Sequence, residues 1–260
     1  MKRILLFGVL IYSAAFALLV LGQSSIIYPF DPTYEVPENR LTEHRIDTPD
    51  AETLIVWTAN PTRDKPTILY FHGNAGNLAN RAERFDRLLD KGYGLIAPAY
   101  RGSTGSTGKP SETALRADAR LIHSQIKKLT GQPHKLVIYG ESLGTTVAIH
   151  LAAIHAPDGL ILEAPFTSLE ALVGEALPYF PTSFGLRDTW DSLAQMDNIT
   201  SPLLVMHGTA DTVVPFHHGE TIFTAAASPH KTFRRVKGLS HTGHWSVAGQ
   251  KAIYQFLDGL

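Results

Sequence analysis

The stretch that most narrows what this chain can become lies near its middle, where a strand-like run gives way to a helix-like run across a corner of five residues. Leu136, Val137, Ile138 and Tyr139 are apolar, the run stops at Gly140, and Val147, Ala148, Leu151 and Ala152 then recur at the spacing of one helix face. Ser142 therefore occupies a strand-to-helix corner within Gly140-Glu141-Ser142-Leu143-Gly144, a G-x-S-x-G string. In so sharp a turn a side chain at either glycine is expected to strike the adjoining strand or helix, and the corner lifts the serine hydroxyl to the top of a sheet. The Leu143 amide falls at a helix N-terminus beside that hydroxyl. The string alone recurs by chance; the strand before it and the helix after it give it weight.

The same alternation runs through the rest of the chain. Apolar, β-favouring runs at 41–48, 53–57, 67–71, 95–100, 160–163, 202–207 and 232–236 predict strands, and helical spacing marks 80–91, 111–130, 143–154 and 246–257. Repeated strand-then-helix units predict an α/β fold with a mostly parallel sheet covered on both faces. With 260 residues there is room for one such domain and not for two. On the first of these helices Arg81, Arg84 and Arg87 read as a solvated face. The alternation breaks at 165–198, which holds Pro165, Pro178 and Pro181 with Phe166, Tyr179, Phe180, Phe184 and Trp190. An insert of that length between two strands points to a lid, its aromatics either covering a site or packing down as a satellite core.

Composition removes several classes of function. A formal net charge of −1 offers no electrostatic case for nucleic acid or another polyanion. With no cysteine, disulfides and thiolate chemistry are excluded, and the twelve histidines show no metal-ligand pattern; the His217-His218 pair reads as solvated. No metal or organic cofactor and no obligate protein partner is expected. At the N-terminus Lys2 and Arg3 precede 4–22, nineteen residues without a charge, about 28 Å of helix and enough to cross a bilayer core. The next cation is Arg40, after Asp31, Glu35 and Glu38, so the charge bias places the N-terminus in the cytoplasm and the remainder across the membrane. Residues 1–22 are thus expected to be a membrane anchor. The competing reading is a signal peptide cleaved near Val20-Leu21-Gly22, with a secreted or periplasmic product. Residues 23–40, with Pro29, Pro32 and Pro37, read as an extended linker, and 41–260 as the folded domain.

Three loops after predicted strands carry the chemistry-bearing residues. Ser142 follows one strand, Asp211 stands in the loop after 202–207 with Val213 and Val214 to shield it, and His241 follows 232–236. In sheets of this kind working residues gather at the C-terminal strand ends, and the order nucleophile, acid, base is that of the α/β-hydrolases. A fourth loop, His72-Gly73-Asn74-Ala75-Gly76-Asn77, follows the strand 67–71, and its glycines let backbone amides turn inward where an oxyanion donor belongs. His244 is the competing base; its spacing places it at a helix start, with solvent or lid contacts.

From about residue 45 onward the chain resembles the α/β-hydrolase superfamily, and within it the small membrane-anchored serine hydrolases grouped with serine aminopeptidase-like and lysophospholipase-like proteins. The resemblance rests on the 72–77 string, Tyr100-Arg101-Gly102 with 108–112, the Ser142 corner, and Gly208 through Asp211 to Pro215. Two departures are Ala99, where the family often has Asp, and Leu239-Ser240-His241-Thr242-Gly243, where it has Gly-x-His-Asn-Asp. The spacing from His241 to Trp245 is similar to the family's, which favours His241 as base. The resemblance implies a Ser142, Asp211 and His241 triad, an oxyanion hole of the Asn74 and Leu143 amides, and an acyl-enzyme. The expected substrate is a lipid-like carboxylic ester or thioester. The alternatives are an amide hydrolase of the serine aminopeptidase kind, or a binding protein that has lost turnover.

Overall fold

A computed structural model describes residues 2–38, 40–62, 64–131 and 133–260. Met1, at the head of the expected anchor, and Asn39, within the expected linker, lie outside them. The first element is a helix, α1 (Lys2–Ile27), followed by strands β1 (Thr42–Asp47), β2 (Thr53–Ala59) and β3 (Thr67–Phe71). The chain continues through α2 (Ala82–Asp90), β4 (Gly94–Pro98), α3 (Glu112–Thr130), β5 (Leu136–Glu141), α4 (Leu143–His155) and β6 (Gly159–Glu163). An insert bearing α5 (Leu169–Ala176) and α6 (Thr182–Gly185) precedes β7 (Leu203–Gly208), α7 (Phe216–Ala225), β8 (Lys231–Val236) and α8 (Val247–Asp258).

The eight strands form one sheet in the order β1-β2-β4-β3-β5-β6-β7-β8. The first two contacts, β1 with β2 and β2 with β4, are antiparallel, and the remaining ones are parallel. Strands β3, β4, β6 and β7 are buried along their whole length, which is why their sequences read as continuous apolar runs rather than alternating ones. Two apolar cores result, one per face. Phe85 and Leu88 of α2 with Ile253 and Leu257 of α8 cover one face, and α3, α4 and α7 cover the other through Ile122, Val147 and Ile222. Because β3, β5, β6, β7 and β8 run the same way, the loops bearing Asn74, Ser142, Asp211 and His241 all leave one rim of the sheet.

The structure corrects three expectations. Arg81 and Arg84 are not a solvated face: their side chains are only 11% and 15% exposed, and both turn inward onto Glu141, Arg84 reaching Glu163 as well. Only Arg87, 46% exposed and paired with Glu83, is at the surface. The segment 23–40 is not simply extended, because the helix continues to Ile27; Phe30 then bridges Gly76 and stacks on Tyr100. Helix α7 has no counterpart among the predicted elements. Pro215 at its start and the His217-His218 pair conceal its periodicity, and Gly219 is placed by packing, since a Cβ there would lie 2.3 Å from the His207 ring. In the insert the aromatics divide: Phe166 and Trp190 are buried in the core, while Tyr179 and Phe184 are fully outside it.

Candidate functional site

Strand β5 ends at Glu141 and α4 starts at Leu143, so one residue, Ser142, carries the whole change of direction. It does so at φ +50°, ψ −115°, a strained conformation for a residue with a side chain, stabilised by the Ser142 amide donating to the Glu163 carbonyl at 2.8 Å. Both flanking glycines are compelled by close approach. A Cβ on Gly144 would stand 2.1 Å from the Phe71 carbonyl oxygen, and one on Gly140 would stand 2.5 Å from the Thr145 Cα.

The loops after β7 and β8 bring their residues to this corner. His241 Nε2 lies 3.0 Å from Ser142 Oγ, and His241 Nδ1 lies 2.8 Å from Asp211 Oδ2. Asp211 Oδ1 accepts the Val213 and Val214 amides, each at 2.9 Å, which fixes the carboxylate plane. Burial by itself would raise the Asp211 pKa, but hydrogen bonds from His207, His241 and the Val214 amide outweigh it and hold the carboxyl well below the usual range. An ionised Asp211 is an acceptor only, so Nδ1 of His241 carries the proton and Nε2 presents its lone pair to the Ser142 hydroxyl. Of the two valines expected to shield the acid, Val214 is buried and Val213 is exposed.

Neither the Leu143 nor the Asn74 amide has a hydrogen-bond partner among the described residues. Leu143 is the first residue of α4 and has no earlier turn to bond to, so its N–H is available to a ligand at the helix's positive end. The 72–77 loop is held from below by Tyr100, whose hydroxyl donates to the His72 carbonyl at 3.0 Å. It is held from the side by the Phe30 to Gly76 bridge.

Four residues next to the corner escaped the sequence reading. Arg84, Glu141 and Glu163 line a cleft of about 70 Å³ with Ser142, His241 and His244. Burial opposes ionisation of Glu141, yet Arg84 and Arg81 more than offset it and keep its pKa low. A signal existed for Glu163: a carboxylate at the end of the apolar run Gly159 to Leu162 is a buried charge that requires a cation. The fourth is His207, fully buried, which donates from Nε2 to the Val214 carbonyl at 2.9 Å and lies 3.4 Å from Asp211 Oδ2, bracing the acid loop. His244 does not meet solvent as expected; it is buried, its Nε2 has no hydrogen-bond partner among the described residues, and burial lowers its pKa. Nor is the His217-His218 pair simply solvated. His218 is buried, and both rings turn toward Glu175, with ligand atoms within 4.8 Å of one another, a spacing that can hold a cation away from the serine cleft.

Comparison with known proteins agrees with this architecture. A family profile described as the alpha/beta hydrolase fold matches residues 66–188, and one described as serine aminopeptidase S33 matches 181–245. An uncharacterised protein of Mycobacterium tuberculosis is 36% identical over 199 residues, covering 74% of this chain and 69% of its own. The lysophosphatidylserine lipase of Rattus norvegicus is 37% identical over 195 residues, 66% of this chain and 48% of the lipase, so this chain spans about half the length of that relative. In fold, an esterase of Pyrococcus furiosus superposes with a TM-score of 0.70 at 19% identity, covering 88% of this chain and 99% of the esterase. With a mostly parallel sheet, a serine at its strand-to-helix corner and these relatives, the chain belongs to the α/β hydrolase superfamily.

Proposed function

We propose that this chain is a serine hydrolase that cleaves a carboxylic ester or thioester of a lipid-like acyl group, with Ser142 as nucleophile, His241 as base and Asp211 as its partner. The observation that carries this reading is the unbroken relay from Asp211 Oδ2 through both ring nitrogens of His241 to Ser142 Oγ, at 2.8 and 3.0 Å. A serine hydroxyl is a weak nucleophile until a base removes its proton as it attacks. His241 Nε2 takes that proton while Oγ bonds to the carbonyl carbon. The resulting oxyanion accepts the Leu143 and Asn74 amides, and Asp211 stabilises the imidazolium. Nε2 then protonates the departing alcohol or thiol, leaving an acyl-Ser142 ester. Water, deprotonated by the same nitrogen, attacks that ester; the fatty acid leaves and Ser142 regains its hydrogen.

The lipid-like substrate is supported by the lysophosphatidylserine lipases among the relatives and by α1, which is long and apolar enough to cross a membrane. On this reading α1 anchors the chain with its N-terminus in the cytoplasm and the domain across the membrane. Amide hydrolysis of the aminopeptidase kind is less well supported. Such an enzyme needs a free carboxylate for the substrate ammonium, and the two carboxylates lining the cleft are already engaged by Arg81 and Arg84.

A fluorophosphonate label tests the reading directly. Wild-type protein should be labelled covalently, Ser142→Ala should not, and His241→Ala should lose about 1,000-fold or more in p-nitrophenyl ester hydrolysis while His244→Ala retains most of it. An unlabelled wild type would leave only a binding protein. Activity lost with His244→Ala and kept with His241→Ala would move the base to the other histidine.

A further inference from the structure

Helix α1 does not project freely from the domain, and the part of the domain it packs against is the insert between β6 and β7. The Tyr12 hydroxyl donates to the Tyr179 carbonyl, and the Phe16 and Phe180 rings meet at a centroid distance of 5.0 Å. Nearer the helix end, Gln23 Nε2 donates to the Gly185 carbonyl at 3.0 Å, the Arg187 amide donates back to Gln23 Oε1 at 2.8 Å, and an Arg187 guanidinium nitrogen reaches the Val20 carbonyl at 3.3 Å. Gln23, buried at this joint, is the first strongly polar side chain after the apolar run.

These contacts fix a depth. Placing the polar boundary of α1 at Gln23, Phe16 lies seven residues and Tyr12 eleven residues further into the apolar run, roughly 10 and 16 Å at 1.5 Å per residue. A hydrocarbon core is about 30 Å thick, so one leaflet is about 15 Å. If α1 spans a bilayer, the insert residue beside Phe16 stands within one leaflet and the one beside Tyr12 at about the bilayer midplane. Their chemistry suits that place. Between Glu175 and Arg187 there is no charged residue, and Tyr179 and Phe184 are 87% and 89% exposed. Large apolar side chains so fully exposed on a folded domain and continuous with an apolar helix mark a surface that water does not cover.

We propose that the tip of the insert, 177–186, is embedded in the leaflet crossed by the C-terminal half of α1, and that Gln23 and Arg187 sit at the headgroup layer. This placement brings the candidate site to the membrane surface. Ile27, four residues or about 6 Å beyond Gln23, accepts from the Asn74 side-chain amide at 3.5 Å through its carbonyl. Phe30 bridges Gly76 in the same loop, the one offered as an oxyanion donor. Resting on the function proposed above, the inference identifies the substrate as an amphiphile resident in that leaflet, its ester carbonyl at the headgroup boundary where the serine is held.

The chain contains no cysteine, which allows single-cysteine spin labelling of the full-length protein in phosphatidylcholine vesicles. Labels at Tyr179→Cys and Phe184→Cys should collide with dissolved oxygen and be shielded from a water-soluble nickel chelate, as should Leu10→Cys within α1; Glu83→Cys on α2 should show the reverse. Nickel accessibility at 179 and 184 equal to that at 83 overturns the proposal, whether or not position 10 is protected. As a functional arm, Phe184→Asp should reduce hydrolysis of a monoacyl lipid held in vesicles about tenfold or more, with fluorophosphonate labelling in detergent unchanged. Undiminished vesicle activity in that variant would also overturn it. The collision measurement requires no turnover, so absent labelling of the wild type would defeat the proposed chemistry without touching the embedded tip.

Discussion

Gly144 shows how little freedom the corner allows. A methyl at that position would sit 2.1 Å from a backbone carbonyl oxygen of β3, not from a side chain that could swing away. Gly144→Ala must therefore separate α4 from β3, and we expect a loss of about 3 kcal/mol in denaturant unfolding together with slower fluorophosphonate labelling. A variant as stable as wild type would mean that the strand and helix tolerate a wider gap. The need for glycine here was readable from the string itself, because any serine turned so sharply between a strand and a helix meets the same crowding. What the string could not state is the approach of His241 to Ser142, since 99 residues separate them and only their packing sets the distance.

At the scale of elements, α2 is joined to β5 and β6 by charge as well as by Phe85 and Leu88. Arg84 lies between Glu141 and Glu163, and the Tyr70 and Tyr139 hydroxyls close the network by donating to Glu141 and Glu163 respectively. Removing the cation leaves two buried carboxylates with too little compensation, so Arg84→Met should cost on the order of 3–5 kcal/mol in unfolding free energy. Adding Glu141→Gln and Glu163→Gln should restore part of it; a triple variant no better than the single one would show that the arginine acts through packing alone. The helix pattern placed α2 correctly but assigned its arginines to solvent. Amphipathic spacing identifies the apolar face and is blind to carboxylates supplied by strands 57 to 79 residues away in the chain.

For the whole molecule, the buried histidines set the response to acid. His72, enclosed by Phe30 and Tyr100, has its pKa lowered to about 3 by burial, and burial lowers that of His244 as well. Their folded values lie below the unfolded value of about 6.5, so the unfolded chain binds the extra protons and stability falls as pH drops below 6.5. For His72 this amounts to roughly 2 kcal/mol between pH 6.5 and 5. Asp211 and Glu141, also lowered, add their loss only below the carboxylate range, near pH 4. The thermal midpoint should therefore begin to fall well above pH 4, and the fall between pH 7 and 5 should be shallower in His72→Gln. Equal slopes would show that His72 is protonated in the folded state.

The order of the strands and of the helices other than α7 and those of the insert, the corner at Ser142 and the long apolar N-terminal segment could be read directly from the chain, because each depends on residues within about one turn or one strand of each other. Strands buried on both faces announce themselves as apolar runs whatever lies next to them. Helix α7 was hidden for the converse reason: it starts on a proline and two histidines, and is recognisable only once Gly219 is seen against His207 and Ile222 in the core. Tertiary structure alone decided that Arg81 and Arg84 turn inward and that His244 is sealed from water. It alone brought Asp211, His241 and Ser142 to one rim and set α1 against the insert. Each of these is a distance or a dielectric environment created by segments remote in the chain, and neither quantity exists until the sheet has closed around it.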